Sequence, residues 1–402
     1  MKKLAINGGV PVRNTMKKSW PSWPVVGDEE RKNLLETFES GKWWYGERVK
    51  EFEKKFAAFQ NAKYGVTCTN GTAALEMALL ACGIGDGDEV IVPPYSFVAT
   101  ASAVLKVNAI PIFADIELDS CNLDPIDAEA KISKKTKAIV PVHCAGFPVD
   151  MDRFLSLAEQ YRLHIIEDAC HSWGSQWNGK GTGALGTCGV FSFQVSKNIT
   201  AGEGGILLSD YEEIADTARS YSNCGRGKDT PWYEHYLLGS NLRMTELQAA
   251  ILLGQLTRLE EQTLKREENA TYLNQQLQNI PGISLMKNDA RVTRRGYHMY
   301  IFRFVREMWE GIDRNRFIEA LNAEGIPSSI GYPNPLYKNP LFQKPGRSGI
   351  DYREVHCAKT EQICEEACWI PHTALLAEKS DMDDIVAALT KVWAERKTFV
   401  NS

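Results

Sequence analysis

YGVTCTNGTAALEMALLACG, residues 64–83, passes from a short β-branched run through a polar turn containing glycine into an apolar helical pattern. It reads as a strand, a turn and a helix, the half-unit from which parallel sheets are built. The alternation continues outward. EVIVP (89–93), AIPIFAD (109–115), KAIVPVH (137–143), HIIEDA (164–169), GVFSF (189–193) and GILLS (205–209) are further strands, and SFVATASAVLKV (96–107) and MDRFLSLAEQY (151–161) further helices. The strands are apolar runs without strict alternation, so both faces of the sheet must be covered. The fold class predicted is α/β, with a large domain built on a mostly parallel sheet.

A long helical pattern follows over residues 243–279 and stops at IPG, 280–282. Leu252, Leu256 and Leu259, then Ala270, Leu273 and Leu277, recur at helical spacing. Beyond it, YHMYIFRF (297–304) is a strand and NRFIEALNAEG (315–325) a helix closed by glycine. The predicted organisation is an arm over 1–30, with WPSWP (20–24) extended, a large domain over 31–282 that includes the linking helix, and a smaller α+β domain over 283–402.

A chain of 402 residues can bury a sizeable core. Its 46 basic and 51 acidic residues leave a net charge of -5, which offers nothing to nucleic acid or an anionic membrane. The start, MKKLAINGG, is too poor in apolar residues for a signal peptide, and no run approaches a membrane span. The expectation is a cytoplasmic protein acting on small molecules. Ten cysteines without regular spacing fit reduced thiols. Cys357, Cys364 and Cys368, near His356 and His372, lack any CxxC pair, so they are read as packing on one helical face and no metal is expected.

Ligands of open α/β sheets collect at the carboxyl ends of the strands, and four such places carry chemistry. In TNGTAAL (69–75), free N–H groups of Gly71, Thr72 and Ala73 with the helix dipole would suit a phosphate, although an ordinary helix cap accounts for the same residues. Neither the dinucleotide fingerprint nor the P-loop occurs there. In HIIEDACHSWG (164–174), Glu167 and Asp168 close a strand and only one can face a given side; a carboxylate there can keep a ring nitrogen protonated, or simply cap and pair. In PPYSFVAT (93–100), Tyr95 or Phe97 could stack on a planar ring or fill core. In FSFQVSKNITAGEGG (191–205), Lys197 follows a strand containing Ser192; it is a surface lysine or a desolvated, nucleophilic amine. Taken together, a phosphate cradle, a pyridinium partner, a stacking ring and a Schiff-base amine are what pyridoxal 5′-phosphate requires.

The ordered motifs TNGTAAL, VPPYSFVAT, PVHCAGFPVDMD, IEDACHSWGS, FSFQVSKNITAGEGG and GSNLRMTELQAAIL are similar to those of the DegT/DnrJ/EryC1/StrS family of fold-type I, pyridoxal-phosphate-dependent aminotransferases. The likeness runs from NGGVPVR (7–13) into the C-terminal domain. It implies Lys197 as the Schiff-base lysine, Asp168 at the pyridine nitrogen, Ser192 with the backbone at Thr72 and Ala73 on the phosphate, His171 near the phenolic oxygen and Phe97 stacking. It implies that Asn241 reaches the phosphate of a neighbouring subunit, hence a homodimer with shared sites. The wording around Lys197 and Asn241 most resembles scyllo-inosose aminotransferases and 3-amino-5-hydroxybenzoate synthases that use glutamine as donor, and KWWYG (42–46) and CWIPHTALLA (368–377) strengthen the likeness to the synthases. The activity implied is ping-pong amino transfer from glutamine or glutamate to a keto-cyclitol or keto-sugar, through a Lys197 Schiff base and the pyridoxamine form. An aromatising synthase and a glutamate-dependent nucleotide-keto-sugar aminotransferase are the alternatives. Trp43, Trp44, Tyr45, His298 and Tyr332 are candidates for the acceptor pocket; His298 could equally be a hydrogen-bonded core histidine.

Overall fold

The computed structural model describes residues 3–343 and 350–399; the predicted arm and small domain extend at residues 1–2, 344–349 and 400–402 outside the described residues. The first nine strands are β1 (Tyr64–Cys68), β2 (Glu89–Val92), β3 (Ile110–Phe113), β4 (Thr136–Ile139), β5 (His164–Asp168), β6 (Gln176–Trp177), β7 (Lys180–Gly181), β8 (Cys188–Ser192) and β9 (Gly205–Ser209). Seven of them form one sheet in the order β1-β9-β8-β5-β4-β2-β3. Every pairing is parallel except the two made by β9, so the central sheet is mostly parallel and the fold is α/β.

Eight helices accompany it: α1 (Asp28–Ser40), α2 (Glu47–Phe59), α3 (Gly71–Ala81), α4 (Ala99–Lys106), α5 (Pro125–Ala130), α6 (Met151–Tyr161), α7 (Glu212–Ser222) and α8 (Glu246–Leu277). Successive side chains along β8 go to opposite cores. Val190 joins Val66, Val92 and Leu207 against α3, α4 and α7, whereas Phe191 joins Ile206 and Leu208 against α2 and α8. This two-sided burial is why the strands read as apolar runs. The structure adds α1, α2, α5 and α7 to the helices read from the sequence. α1 escaped because it holds the protein through polar contacts: buried Glu30 accepts from Gln255 Nε2 at 2.9 Å and pairs with Arg258.

After α8 come β10 (Ile283–Leu285), β11 (Val292–Arg294), β12 (Met299–Phe304), α9 (Arg314–Ala323), β13 (Ser329–Ile330), α10 (Ala358–Glu366), β14 (Ala367–Pro371) and α11 (Lys379–Ala394). An antiparallel sheet runs β10-β12-β14-β13, while β11 pairs with β6. α8 serves two cores: Ala249, Leu252 and Leu259 pack under the central sheet, and Ala270, Leu273 and Leu277 pack under the small one. The N-terminal segment is held against the small sheet's core rather than trailing. Leu4 is buried there, and the carboxylate of Glu324 accepts the N–H of Ala5 at 2.8 Å and of Val12 at 2.9 Å. Gly325, at φ +91°, ends α9 where any Cβ would fall 2.1 Å from the Arg13 carbonyl oxygen.

One expectation fails outright. α10 ends at Glu366, so Cys368 lies on β14 and Cys357 on the residue before the helix; the three thiols share no helical face. Among the described residues no cluster of His, Cys, Asp and Glu could hold a metal ion, and no helix is long and apolar enough to cross a membrane.

Candidate active site

Strand register brings the quoted motifs to one edge. Ser192, at the end of β8, pairs with Gly205, which pairs in turn with Cys68 at the end of β1. On the other side of β8, Asp168 at the end of β5 pairs with Val190. The Thr69–Gly71 turn, Ser192 and Asp168 therefore share the carboxyl edge of adjoining strands.

The adjacent carboxylates divide as their alternation demands. Glu167 points into the protein, where its oxygens accept the N–H groups of Gly183, Leu185 and Gly186, each at 2.7 Å, and meet His143 Nε2 at 2.8 Å. That is a structural carboxylate. Asp168 faces the other way. Its Oδ2 accepts from the Thr100 hydroxyl at 2.8 Å and its Oδ1 from the Cys170 N–H at 3.2 Å. Because Thr100 gives its proton to Asp168, its oxygen must accept from Ser96 Oγ, 2.8 Å away. The ordered hydroxyl chain aims the carboxylate.

Gly71, the first residue of α3, sits so close to β8 that a Cβ would fall 2.7 Å from Ser192 Cβ and 3.2 Å from Cys170 Sγ. Only glycine lets the helix start abut the serine hydroxyl. The first-turn amides of Gly71 and Thr72 have no acceptor within the helix. Ala73 is a correction: its N–H, expected to be free for an anion, donates to the Asn70 side chain at 2.9 Å, so Asn70 caps the helix and the cradle is smaller by one donor.

Lys197 is partly buried, its Nζ 5.6 Å from the centre of the Trp173 ring. Among the described residues it forms no ion pair. Burial lowers its pKa below 10.5, against the pull of Cys170 and Asp168. Three imidazoles lie beyond: the rings of His171 and His298 are 4.8 Å apart, and those of His298 and His372 5.7 Å. Burial holds all three well below 6.5, and the charge of Lys197 adds to this, so they are neutral. His298 Nδ1 meets Asn198 Oδ1 at 3.1 Å, which satisfies the core reading of this residue as well as a pocket one. Among the described residues, buried His171 Nδ1 has no hydrogen-bond partner.

The other candidates scatter. Phe97, two residues ahead of α4, is 59% exposed, whereas Tyr95 is buried against Tyr332 and Trp369. Tyr332 thus adjoins the site, and its phenol is pushed upward by burial, with Asp168 among the lesser causes. Trp43, Trp44 and Tyr45 make their contacts elsewhere in this chain. Trp44 lies under Arg243, 5.4 Å away, and Tyr45 donates to Glu53 at 3.2 Å. Asn241 is exposed beside Asn223, two residues from Arg243, so it shares that surface with Trp44 and not the Lys197 cluster. Sequence reading missed Thr100, Cys170 and Trp173 although all three lie inside quoted motifs; Thr100, four residues after Ser96 at a helix start, carried the clearest signal.

A family profile described as the DegT/DnrJ/EryC1/StrS aminotransferase family matches residues 24–390. The chain belongs to the DegT/DnrJ/EryC1/StrS aminotransferase family. Among its relatives is a Micromonospora echinospora protein provisionally named L-glutamine:3-amino-2,3-dideoxy-scyllo-inosose aminotransferase, 38% identical over 97% of this chain and 97% of that protein. The 3-amino-5-hydroxybenzoate synthase of Amycolatopsis mediterranei is 36% identical over 90% of this chain and 94% of its own. The crystal structure of a 3-amino-5-hydroxybenzoic acid synthase superposes with a TM-score of 0.86 at 33% identity, covering 94% of this chain and 99% of the other. As a DegT/DnrJ/EryC1/StrS member, the protein is an aminotransferase.

Proposed function

We propose that this aminotransferase uses pyridoxal 5′-phosphate to move an amino group from glutamine to a keto-cyclitol. The observation that carries the cofactor is the cradle where Gly71 abuts Ser192 on the same strand edge as Asp168, with Lys197 near enough to feel the charge of Asp168 and with His171 Nδ1 unpartnered among the described residues. The donor and acceptor class are supported by the glutamine-dependent scyllo-inosose relative.

Ser192 and the amides of Gly71 and Thr72 would hold the phosphate, and Phe97 would stack on the ring. Bound there, the cofactor supplies an aldehyde for an amine and a pyridinium ring able to delocalise negative charge. Asp168, aimed by Thr100, would keep the ring nitrogen protonated because its own charge favours the cation. Lys197 Nζ, desolvated and without an ion-pair partner among the described residues, is the nucleophilic amine and the base that takes and returns the proton at the α-carbon of the donor. Neutral His171 donates or accepts one hydrogen bond at Nδ1 without adding charge near that amine. Asn241 and Trp44, on one exposed surface, would complete the site of a second copy in a homodimer. A soluble, cytoplasmic location fits such an enzyme.

Reconstitution with pyridoxal 5′-phosphate, borohydride reduction and peptide mapping test the cofactor: the pyridoxyl group is expected on Lys197 and absent from Lys197→Ala. A pyridoxyl group on another lysine overturns the assignment. Glutamine and glutamate are then paired with an inosose, a nucleotide-linked keto-sugar and aminodehydroshikimate. The likeness to the hydroxybenzoate synthases favours aromatisation as a second reading, and turnover of aminodehydroshikimate alone would select it.

A further inference from the structure

We propose that His372 and Arg266, with Trp23 of the N-terminal segment, are positioning residues that pin the peptide unit carrying Lys197. The inference rests on the reading of Lys197 as the reactive amine.

Residues 194–197 form a turn in which the Lys197 N–H donates to the Gln194 carbonyl at 2.9 Å. The Gln194 side chain accepts the N–H and hydroxyl of Ser196 at 2.8 and 2.7 Å. This leaves the carbonyls of Val195 and Ser196 pointing outward, and each is taken by a distant element. Trp23 Nε1 donates to Val195 at 2.9 Å, and His372 Nε2 lies 3.1 Å from the Ser196 oxygen. The peptide between Ser196 and Lys197 is thus held at both ends, its C=O by His372 and its N–H by Gln194. With that plane set, the direction in which the lysine side chain leaves the backbone is set too.

The tautomer of His372 follows from its partners. A guanidinium can only donate, and Arg266 Nη2 lies 3.2 Å from His372 Nδ1, so Nδ1 accepts. A carbonyl can only accept, so Nε2 carries the proton given to Ser196. The imidazole therefore works neutral. Trp23 closes the group: its ring meets that of His372 edge-on at 4.7 Å and lies 5.7 Å from the Arg266 guanidinium. Three segments far apart in sequence converge on this turn: Trp23 ahead of α1, Arg266 in α8 and His372 after β14.

Arg266 would be an extravagant core residue otherwise. It is fully buried, burial pushes it down to about 9, and among the described residues its Nε and Nη1 have no partner. Among the described residues it pairs with no carboxylate. A buried cation of this kind is usually no more stabilising than an apolar side chain of similar size. Besides its contact with the Trp23 ring, its one hydrogen bond among the described residues sets the donor direction of His372.

The test uses the full chain without cofactor and follows acetylation of Lys197 by trace acetic anhydride across pH, read by mass spectrometry. Lys197 is faced by Asp168, Cys170, His171, His298, His372 and the Trp173 ring, and these stay in place in every variant except His372 itself. His372→Gln retains one acceptor and one donor; His372→Phe retains the ring against Trp23 and loses both hydrogen bonds. We expect Lys197 in His372→Phe and Arg266→Met to titrate higher by about one unit, toward that of a solvated lysine, with His372→Gln like the parent. A folded His372→Phe that titrates like the parent, or equal shifts in Gln and Phe, overturns the proposal. If the Phe variant does not fold, nitrogen-15 spectra of the unaltered chain decide: a neutral ring protonated at Nε2 supports the clamp, and any other state overturns it. Borohydride trapping on the loaded parent separately tests Lys197 as the cofactor lysine, so either idea can fail alone.

Discussion

The hydroxyl of Thr100 donates to Asp168 Oδ2 at 2.8 Å, and this one hydrogen bond connects a helix start to the carboxylate that ends the neighbouring part of the sheet. Asp168→Asn keeps the shape and removes the charge that would stabilise a cationic ring. Loss of turnover on the order of 10³-fold is expected, with phosphate binding retained. Thr100→Val should cost about tenfold, since it frees the carboxylate to rotate without discharging it. Steady-state kinetics with fluorescence titration of the phosphate site check both; near-normal rates in Asp168→Asn would remove it as the ring partner.

Glu167 offers the contrasting case. Its charge satisfies three backbone donors and His143 in a fully buried place, so Glu167→Gln should destabilise the chain by about 3 kcal/mol. Denaturant unfolding measures this. An unchanged midpoint would mean that the loop Gly183–Gly186 is held by something else.

The three neutral imidazoles make stability depend on pH. His171, His298 and His372 bind protons far less readily folded than unfolded, so the unfolded chain gains protons first as pH falls through about 6.5. Stability is therefore full above that value and is lost below it, by about 1.4 kcal/mol per pH unit for each histidine. Replacing His298 by Gln should reduce the slope of unfolding free energy against pH by about half a proton at pH 6.5, rising to about one proton at pH 5; an unaltered slope would show that this ring titrates in the fold.

Glu324 holds the N-terminal segment. It accepts from Ala5 and Val12 and pairs with Lys391 at 2.8 Å, with no exposure of its own side chain. Glu324→Ala should release residues 3–13 to limited proteolysis and lower stability by about 2–3 kcal/mol. Cleavage rates equal to the parent's would contradict that role.

Residue order alone revealed much of this protein. Apolar runs spaced by helical segments could satisfy their backbone only as a two-sided sheet, and the small residues at strand ends marked where backbone must turn toward a ligand. Such features are local, so they survive in a linear reading. The choice between Glu167 and Asp168 was narrowed to one by alternation, but which one faced outward needed the loop 183–186 folded beneath. The cap that takes Ala73 and the break that puts Cys368 on a strand are decided by neighbours in space, which override helical spacing.

Only the tertiary structure could bring Arg266, His372 and Trp23 to the lysine turn, since each is ordinary where it stands in the chain. Hydrogen-bond direction depends on which donor ends up opposite which acceptor. Packing sets that pairing across hundreds of residues, whereas the pattern of apolar and polar residues is set within a dozen.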